Sequence, residues 1–244
     1  MNLEPLVFLN GILSTITVAI GAIVGIIIAS RYFKYKRKEF MYIGLAVIGI
    51  YQPWWPTAVD FFSILFFNRS LTPTEYFIIS TVCIPFFIVI WMVAITYMFD
   101  LTNKKVLPIT FLIISVVGSL YVFIFALIDP KQIGTLTGYF NVEYEIITMG
   151  YLLFILLSIV VSGILFSVQS LNSDNPEIRL KGKLLITGFI CYLVGGFMDA
   201  GTIHLTELTL IITRSILITS AILFYLGFLL PNYVKKLFLR EKTI

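Results

Sequence analysis

Three ionisable side chains, Asp60, Asp199 and Arg214, stand inside stretches of sequence that are otherwise strongly apolar. A charge at membrane depth is costly and normally faces a partner or a wet cavity, which makes each a candidate site residue. Arg214 is the most telling, because no other basic residue lies well inside an apolar run. Paired with Asp60 or Asp199, it would form either a packing ion pair or the polar floor of an outward-facing ligand cavity. Glu207 precedes Arg214 by seven residues, which places the two on one helical face. Trp54 and Trp55 lie within Tyr51-Gln52-Pro53-Trp54-Trp55-Pro56 and offer aromatic walls to an apolar or cationic ligand. Pro53 and Pro56 remove two backbone donors and free the carbonyls of Gly49 and Gln52. Freed carbonyls at membrane depth must meet protein partners or line a wet cavity. Pro85 predicts a second kink, freeing the carbonyl of Thr81.

Other chemistries lack their residues. His204 is the single histidine, so a zinc hydrolase of the ceramidase-like kind has no ligand set. With Glu207 nearby, His204 reads as an exposed loop residue. No Ser-His-Asp set and no paired intramembrane carboxylates can be assembled, so no enzyme, metal site or cofactor is expected. None of the eleven lysines falls within an expected span, which removes the Schiff-base lysine of a retinal protein. The acid-Arg-aromatic and Asn-Pro-x-x-Tyr motifs of rhodopsin-family receptors are replaced by Tyr97-Met98-Phe99-Asp100 and Leu230-Pro231-Asn232-Tyr233. The last three spans lack the internal prolines of a SWEET-type repeat. Asn68-Arg69-Ser70 fits the N-glycosylation pattern in an expected external loop.

The elements that must position these residues are seven apolar runs. Their approximate limits are Phe8–Ala29, Phe40–Phe66, Tyr76–Met98, Val106–Leu127, Ile146–Phe166, Leu184–Ile203 and Glu207–Leu230. Most reach the ~20 residues that cross a ~30 Å hydrocarbon core. Of 17 Lys and Arg residues, 14 fall in alternate gaps: Arg31 to Lys38, Lys104–Lys105, Arg179 to Lys183, and the tail from Lys235. The positive-inside rule puts those gaps in the cytoplasm. The expectation is an all-α bundle of seven transmembrane helices over residues 1–230, N-terminus outside, with a basic cytoplasmic tail at 231–244. The cytoplasmic segments balance to +9 and the remainder to −5. Such a dipole suits a cell membrane and a cytoplasmic partner, not nucleic acid. A mean hydropathy of +1.00 with 12% charged residues agrees.

Gly21 and Gly25 have GxxxG spacing, read as close helix packing within the chain. The N-terminal MNLEPLVFLNG carries an acid and no basic n-region, so a retained first helix is expected, not a signal peptide. Cys83 and Cys191 both fall in spans and predict no disulfide framework. Asn172-Ser173-Asp174-Asn175-Pro176 marks a turn with Pro176 near a helix entry. Val234, Leu237 and Phe238, interleaved with Lys235 and Lys236, predict a short interfacial helix or a frayed anchor.

Ile178-Arg179-Leu180-Lys181-Gly182-Lys183, leading into the last two spans and ending Phe228-Leu229-Leu230-Pro231, resembles the final part of microbial seven-helix sensor modules of the histidine-kinase N-terminal type. The resemblance implies sensing, with no site residues to carry over and with output through a separate partner. The leading expectation is therefore a receptor-like sensor without its own catalytic domain. Its ligand pocket would involve Trp54, Trp55, Asp60, Asp199, Glu207 and Arg214. A small-solute transporter and a non-catalytic scaffold subunit are the alternatives.

Overall fold

The computed structural model describes residues 4–239 apart from 100, 139 and 203–205, with only the backbone of 201 and 202. It is an all-α bundle. The helices are α1 (Pro5–Tyr35), α2 (Lys38–Ile50), α3 (Trp55–Phe67), α4 (Pro73–Thr81), α5 (Ile84–Met98) and α6 (Val106–Ile128). A hairpin of β1 (Gly134–Thr137) and β2 (Asn141–Tyr144) follows, and then α7 (Ile146–Leu171), α8 (Pro176–Phe197), α9 (Glu207–Leu229) and α10 (Asn232–Phe238). Six helices are long and apolar enough to cross a membrane: α1, α4 with α5, α6, α7, α8 with its following turn, and α9.

Helix boundaries follow local chemistry. Thr72 and Glu75 cap α4 reciprocally, and Asn175 accepts the Glu177 N–H at the start of α8, supplying partners to otherwise orphaned first-turn donors. The Asn175-Pro176 entry is where the turn signal put it. Lys36 and Asn68 end α1 and α3 in the left-handed conformation, a common stop that returns a carbonyl bond to the last turn.

The expected kink at Pro53 and Pro56 is a full break, and the one at Pro85 is a two-residue interruption inside a single span. Between α2 and α3 the chain makes a single 3-10 turn at Gln52–Trp54, so Phe40–Phe66 is two helices. The freed Gln52 carbonyl accepts the Trp55 N–H, while the Ile50 carbonyl accepts the Tyr192 hydroxyl from α8 at 2.6 Å. At the Pro85 interruption, Ser119 of α6 donates to the Thr81 carbonyl at 3.3 Å. Protein groups thus replace the lost helical bonds, as a water-poor setting requires.

Close approach of α1 and α2 rests on Gly25 and Gly44. A Cβ on Gly25 would stand 2.5 Å from the Gly44 carbonyl oxygen, and a Cβ on Gly44 would collide with Ala29 and Gly25 backbone. Gly21 meets the Tyr51 ring instead. The GxxxG spacing therefore serves packing inside the chain.

One end of the bundle gathers the basic gaps and the other gathers the hairpin. Near its centre Trp91, Phe189 and Phe224 are almost fully buried. Trp91 meets Phe189 edge-on at 5.7 Å and donates to Ser162 of α7 at 2.9 Å. Tyr51 bonds Ser220 at 2.6 Å. This aromatic layer fills the middle of the bundle. At the basic end Val234 of α10 packs with Leu180 and Leu230, and Lys235 pairs with Glu177 at 2.6 Å. Leu237 remains 75% exposed, so the tail helix docks through Val234 and the Lys235–Glu177 pair and leaves Leu237 and Phe238 outward.

The hairpin is an addition that an all-helical reading does not contain. Gly134 pairs with Tyr144 and Thr137 with Asn141, with a left-handed Gly138 in the turn. Such a φ is steeply unfavourable for residues with a Cβ.

Candidate ligand-binding cavity

Arg214 lies seven residues into α9 and is 3% exposed. Its position faces α1 and the end of α8. There the chain leaves α8 in a π-type turn, Met198–Thr202, a widening that is often found at functional sites. That turn presents Asp199. Its Oδ1 lies 2.9 Å from Arg214 Nη1, off the line of a hydrogen bond, so the contact is ionic and not directional. Trp54 Nε1–H donates to the other oxygen at 2.6 Å. The guanidinium also stands 5.9 Å from the Trp54 ring centre, within the range of a cation–π contact. From α1, Asn10 Oδ1 accepts Arg214 Nη2 at 3.1 Å and the Ser14 hydroxyl at 3.1 Å. Among the described residues, Arg214 Nε has no hydrogen-bond partner.

The cluster forms one side of a cavity of about 410 Å³ at the hairpin end, within the span of about 300–1,000 Å³ usual for small-molecule sites. Gln52, in the α2–α3 break, lines it as well. Its Nε2 donates to the Ile79 carbonyl at 3.2 Å, while Oε1 is buried and has no hydrogen-bond partner among the described residues. The opposite wall is apolar, with Ile84, Phe87 and Ile88 from α5 facing Leu152, Leu156 and Ile159 from α7.

The hairpin is the roof. Phe140, Val142 and Tyr144 line the cavity from above, and Tyr76 ties that roof down by donating to the Phe140 carbonyl at 3.4 Å while bonding Thr57 at 2.9 Å. Burial pushes the Tyr144 phenol well above its ordinary range, so Tyr144 itself adds no charge, while Glu143 of the same strand also borders the cavity.

Of the six residues singled out by sequence, three converge on this cavity: Trp54, Asp199 and Arg214. The other three lie elsewhere. Trp55 turns away and meets Phe87 edge-on at 5.7 Å. Asp60 is fully buried, but it accepts the Ser70 hydroxyl at 3.0 Å and the Leu71 N–H at 2.7 Å. It therefore fastens the α3–α4 connection, and the Arg214 partner is Asp199. Glu207 is exposed in the first turn of α9, two helical turns from Arg214 on the same face. The Ser70 hydroxyl of the Asn68-Arg69-Ser70 pattern is engaged by Asp60. His204 lies outside the described residues.

Thr57 and the hairpin's Thr137, Asn141 and Glu143 also line the cavity, and Asn10, Gln52, Tyr76 and Tyr192 add polar groups from within the spans. Their signal in the sequence is an uncharged polar residue inside an apolar run. Among the described residues no three His, Cys, Asp or Glu side chains gather as a metal site would require. Comparison of the chain with protein families, curated proteins and solved structures gives no match.

Proposed function

We propose that this protein is a receptor-like membrane sensor of seven spans, N-terminus outside and C-terminus cytoplasmic. Helices α2 and α3 together make the seventh crossing. A small ligand held at the hairpin end shifts α2–α3 against α8 and α9, and the basic end presents that shift to a cytoplasmic partner.

The observation that carries this reading is the cavity. It combines buried, incompletely bonded polar groups with an apolar wall, the usual composition of a small-molecule site. The aromatic layer of Trp91, Phe189 and Phe224 lies between it and the basic end. A closed end suits a sensor better than a transporter, which needs a path through the bundle. The distribution of 14 basic residues supports the orientation, and the resemblance of residues 178–231 to microbial sensor modules agrees in role. The interruptions at Pro53 and Pro85 supply joints about which packed helices shift.

The test uses chains with Cys83 and Cys191 replaced by Ala. Spin labels at Lys38→Cys and Lys183→Cys report the α2–α8 separation at the basic end, in nanodiscs. Leu156→Trp, which fills the cavity in place of a ligand, should shift the distance distribution. In proteoliposomes the unmodified cavity should give no gradient-dependent solute uptake. An impermeant thiol reagent on intact cells should label Glu143→Cys and spare Lys36→Cys. An unmoved distribution argues against sensing, flux abolished by Arg214→Ala favours transport, and reversed labelling overturns the orientation.

A further inference from the structure

The polar side of the cavity has a bonding inventory that restricts its ligand. Arg214 carries one positive charge and Asp199 at 2.9 Å carries one negative charge, so the pair presents little net charge to a third group. Apart from Arg214 Nη1, which is held only by its ionic contact with Asp199, two atoms of the cavity-lining residues have no hydrogen-bond partner among the described residues, the donor Arg214 Nε and the acceptor Gln52 Oε1. Both residues line the cavity, at 3% and 1% exposure. The Gln52 amide orientation is fixed by chemistry: the Ile79 carbonyl accepts only, so the amide nitrogen must face it and the oxygen is left free. An unsatisfied buried donor or acceptor is costly, and a ligand that meets both recovers that cost.

A carboxylate could accept from Nε, but it has no proton for Gln52 Oε1 and sets a second negative charge beside Asp199. An ammonium could donate to Oε1, but it accepts nothing and adds a second positive charge beside Arg214. A hydroxyl both donates and accepts. A head with adjacent hydroxyls serves the two atoms separately. The remaining wall, Ile84, Phe87 and Ile88 on α5 against Leu152, Leu156 and Ile159 on α7, offers no hydrogen bond from its side chains. Ile159 lies 13 residues beyond the start of α7, so this wall reaches about 20 Å along the helix axis from the hairpin end.

We infer that the cavity takes an uncharged single-chain amphiphile with a polyol head, of the monoacylglycerol class. Its hydroxyls meet Arg214 Nε and Gln52 Oε1, and its chain lies between α5 and α7. This rests on the reading of the cavity as a ligand site.

Three probes of equal chain length separate the possibilities: 1-monolauroylglycerol, lauric acid and dodecylamine, each titrated into the full chain in nanodiscs with bound ligand counted by native mass spectrometry. The expected result is one monolauroylglycerol per chain, held at least about tenfold more tightly than either charged probe, the scale of one well-made buried hydrogen bond. Gln52→Leu should remove most of that preference while the chain still binds, and Leu156→Trp should abolish binding of all three. If a charged probe binds best and Leu156→Trp still abolishes it, the ligand site stands and the uncharged head is overturned. An intact preference in Gln52→Leu overturns the uncharged head in the same way. If Leu156→Trp changes nothing, or no probe binds in defined stoichiometry, the cavity is not their site and the inference falls with the reading beneath it. Thermal unfolding of Gln52→Leu without probe checks that the variant is folded.

Discussion

Arg214→Met is expected to lower the stability of the folded bundle by about 3 kcal/mol, and Asp199→Asn in the same chain to recover most of that loss. Removing one member of a buried ion pair costs about 3–5 kcal/mol because the other charge remains uncompensated, while replacing both is often close to neutral. The lower end applies because the Asp199 side chain keeps 22% of its surface exposed and the Trp54 indole still donates to it. Asn10 would lose its guanidinium donor but keep the Ser14 hydroxyl. Methionine keeps the unbranched apolar stem of arginine out to about the position of Nε but loses the guanidinium contact with Trp54, so the Asp199 arm of the cycle is what isolates the charge term. Reversible unfolding in bicelles, followed by tryptophan fluorescence, reads the difference across the four chains of the cycle. If the double substitution is as unstable as Arg214→Met alone, the cluster works through Asn10 and Trp54 and not through the Asp199 pair.

A leucine at Gly25 or at Gly44 is expected to be at least as damaging. Overpacking a tight site costs about 1–3 kcal/mol when side chains can move aside. Here the colliding atoms include backbone: the Gly44 carbonyl oxygen at 2.5 Å from a Gly25 Cβ, with the Ile48 amide nitrogen at 3.1 Å. Backbone cannot rotate away, so α1 and α2 must separate along their length. The separation carries with it Ile50 and Gln52, which hold the Tyr192 and Ile79 contacts at the cavity edge. The double leucine variant should fail to give a monodisperse protein in detergent. Gly150→Ala is the control, since nothing stands within 4 Å of its Cβ, and alanine within a helix is favoured over glycine by about 1 kcal/mol. Equal melting temperatures for Gly25→Leu and Gly150→Ala would show that the α1–α2 contact does not hold the bundle together.

How much of the chain is legible in its sequence depends on whether a signal is local. Apolar runs, caps and prolines act within one turn, so six membrane-length helices, the Pro176 entry and the positions of both interruptions are legible. So is the pairing of Arg214 with a carboxylate, because a charge at that depth demands compensation. The choice between Asp60 and Asp199 is not. It depends on how Ser70 and Leu71 fold back over α3 to bond Asp60, which no helical periodicity encodes. Trp54 and Trp55 look like a pair in the sequence, although successive helical positions diverge by about 100°, so one facing the cavity sends the other away. The hairpin is hidden by its shortness: Thr135, Thr137, Val142 and Tyr144 alternate in strand fashion around Gly138, but four-residue strands give little statistical weight. Asn10 and Gln52 are visible as polar residues in apolar surroundings, yet they carry no charge to mark them as costly.

The ion pair between the end of α8 and α9 bears on how the chain enters a membrane. These two helices are the least apolar of the six that could cross, and α9 presented alone to the insertion machinery would carry an uncompensated arginine into lipid. Asp199 immediately precedes it in synthesis, so α8 and α9 entering together as a helical hairpin bring the opposite charges side by side before either meets hydrocarbon. Asn10, made some two hundred residues earlier, then receives the guanidinium and closes the ring between the first and last spans. In a glycosylation-reporter assay, α9 should integrate poorly by itself and well behind α8, and Asp199→Ala should erase much of that help. Equal integration of α9 with and without α8 would mean that the charges meet only after insertion.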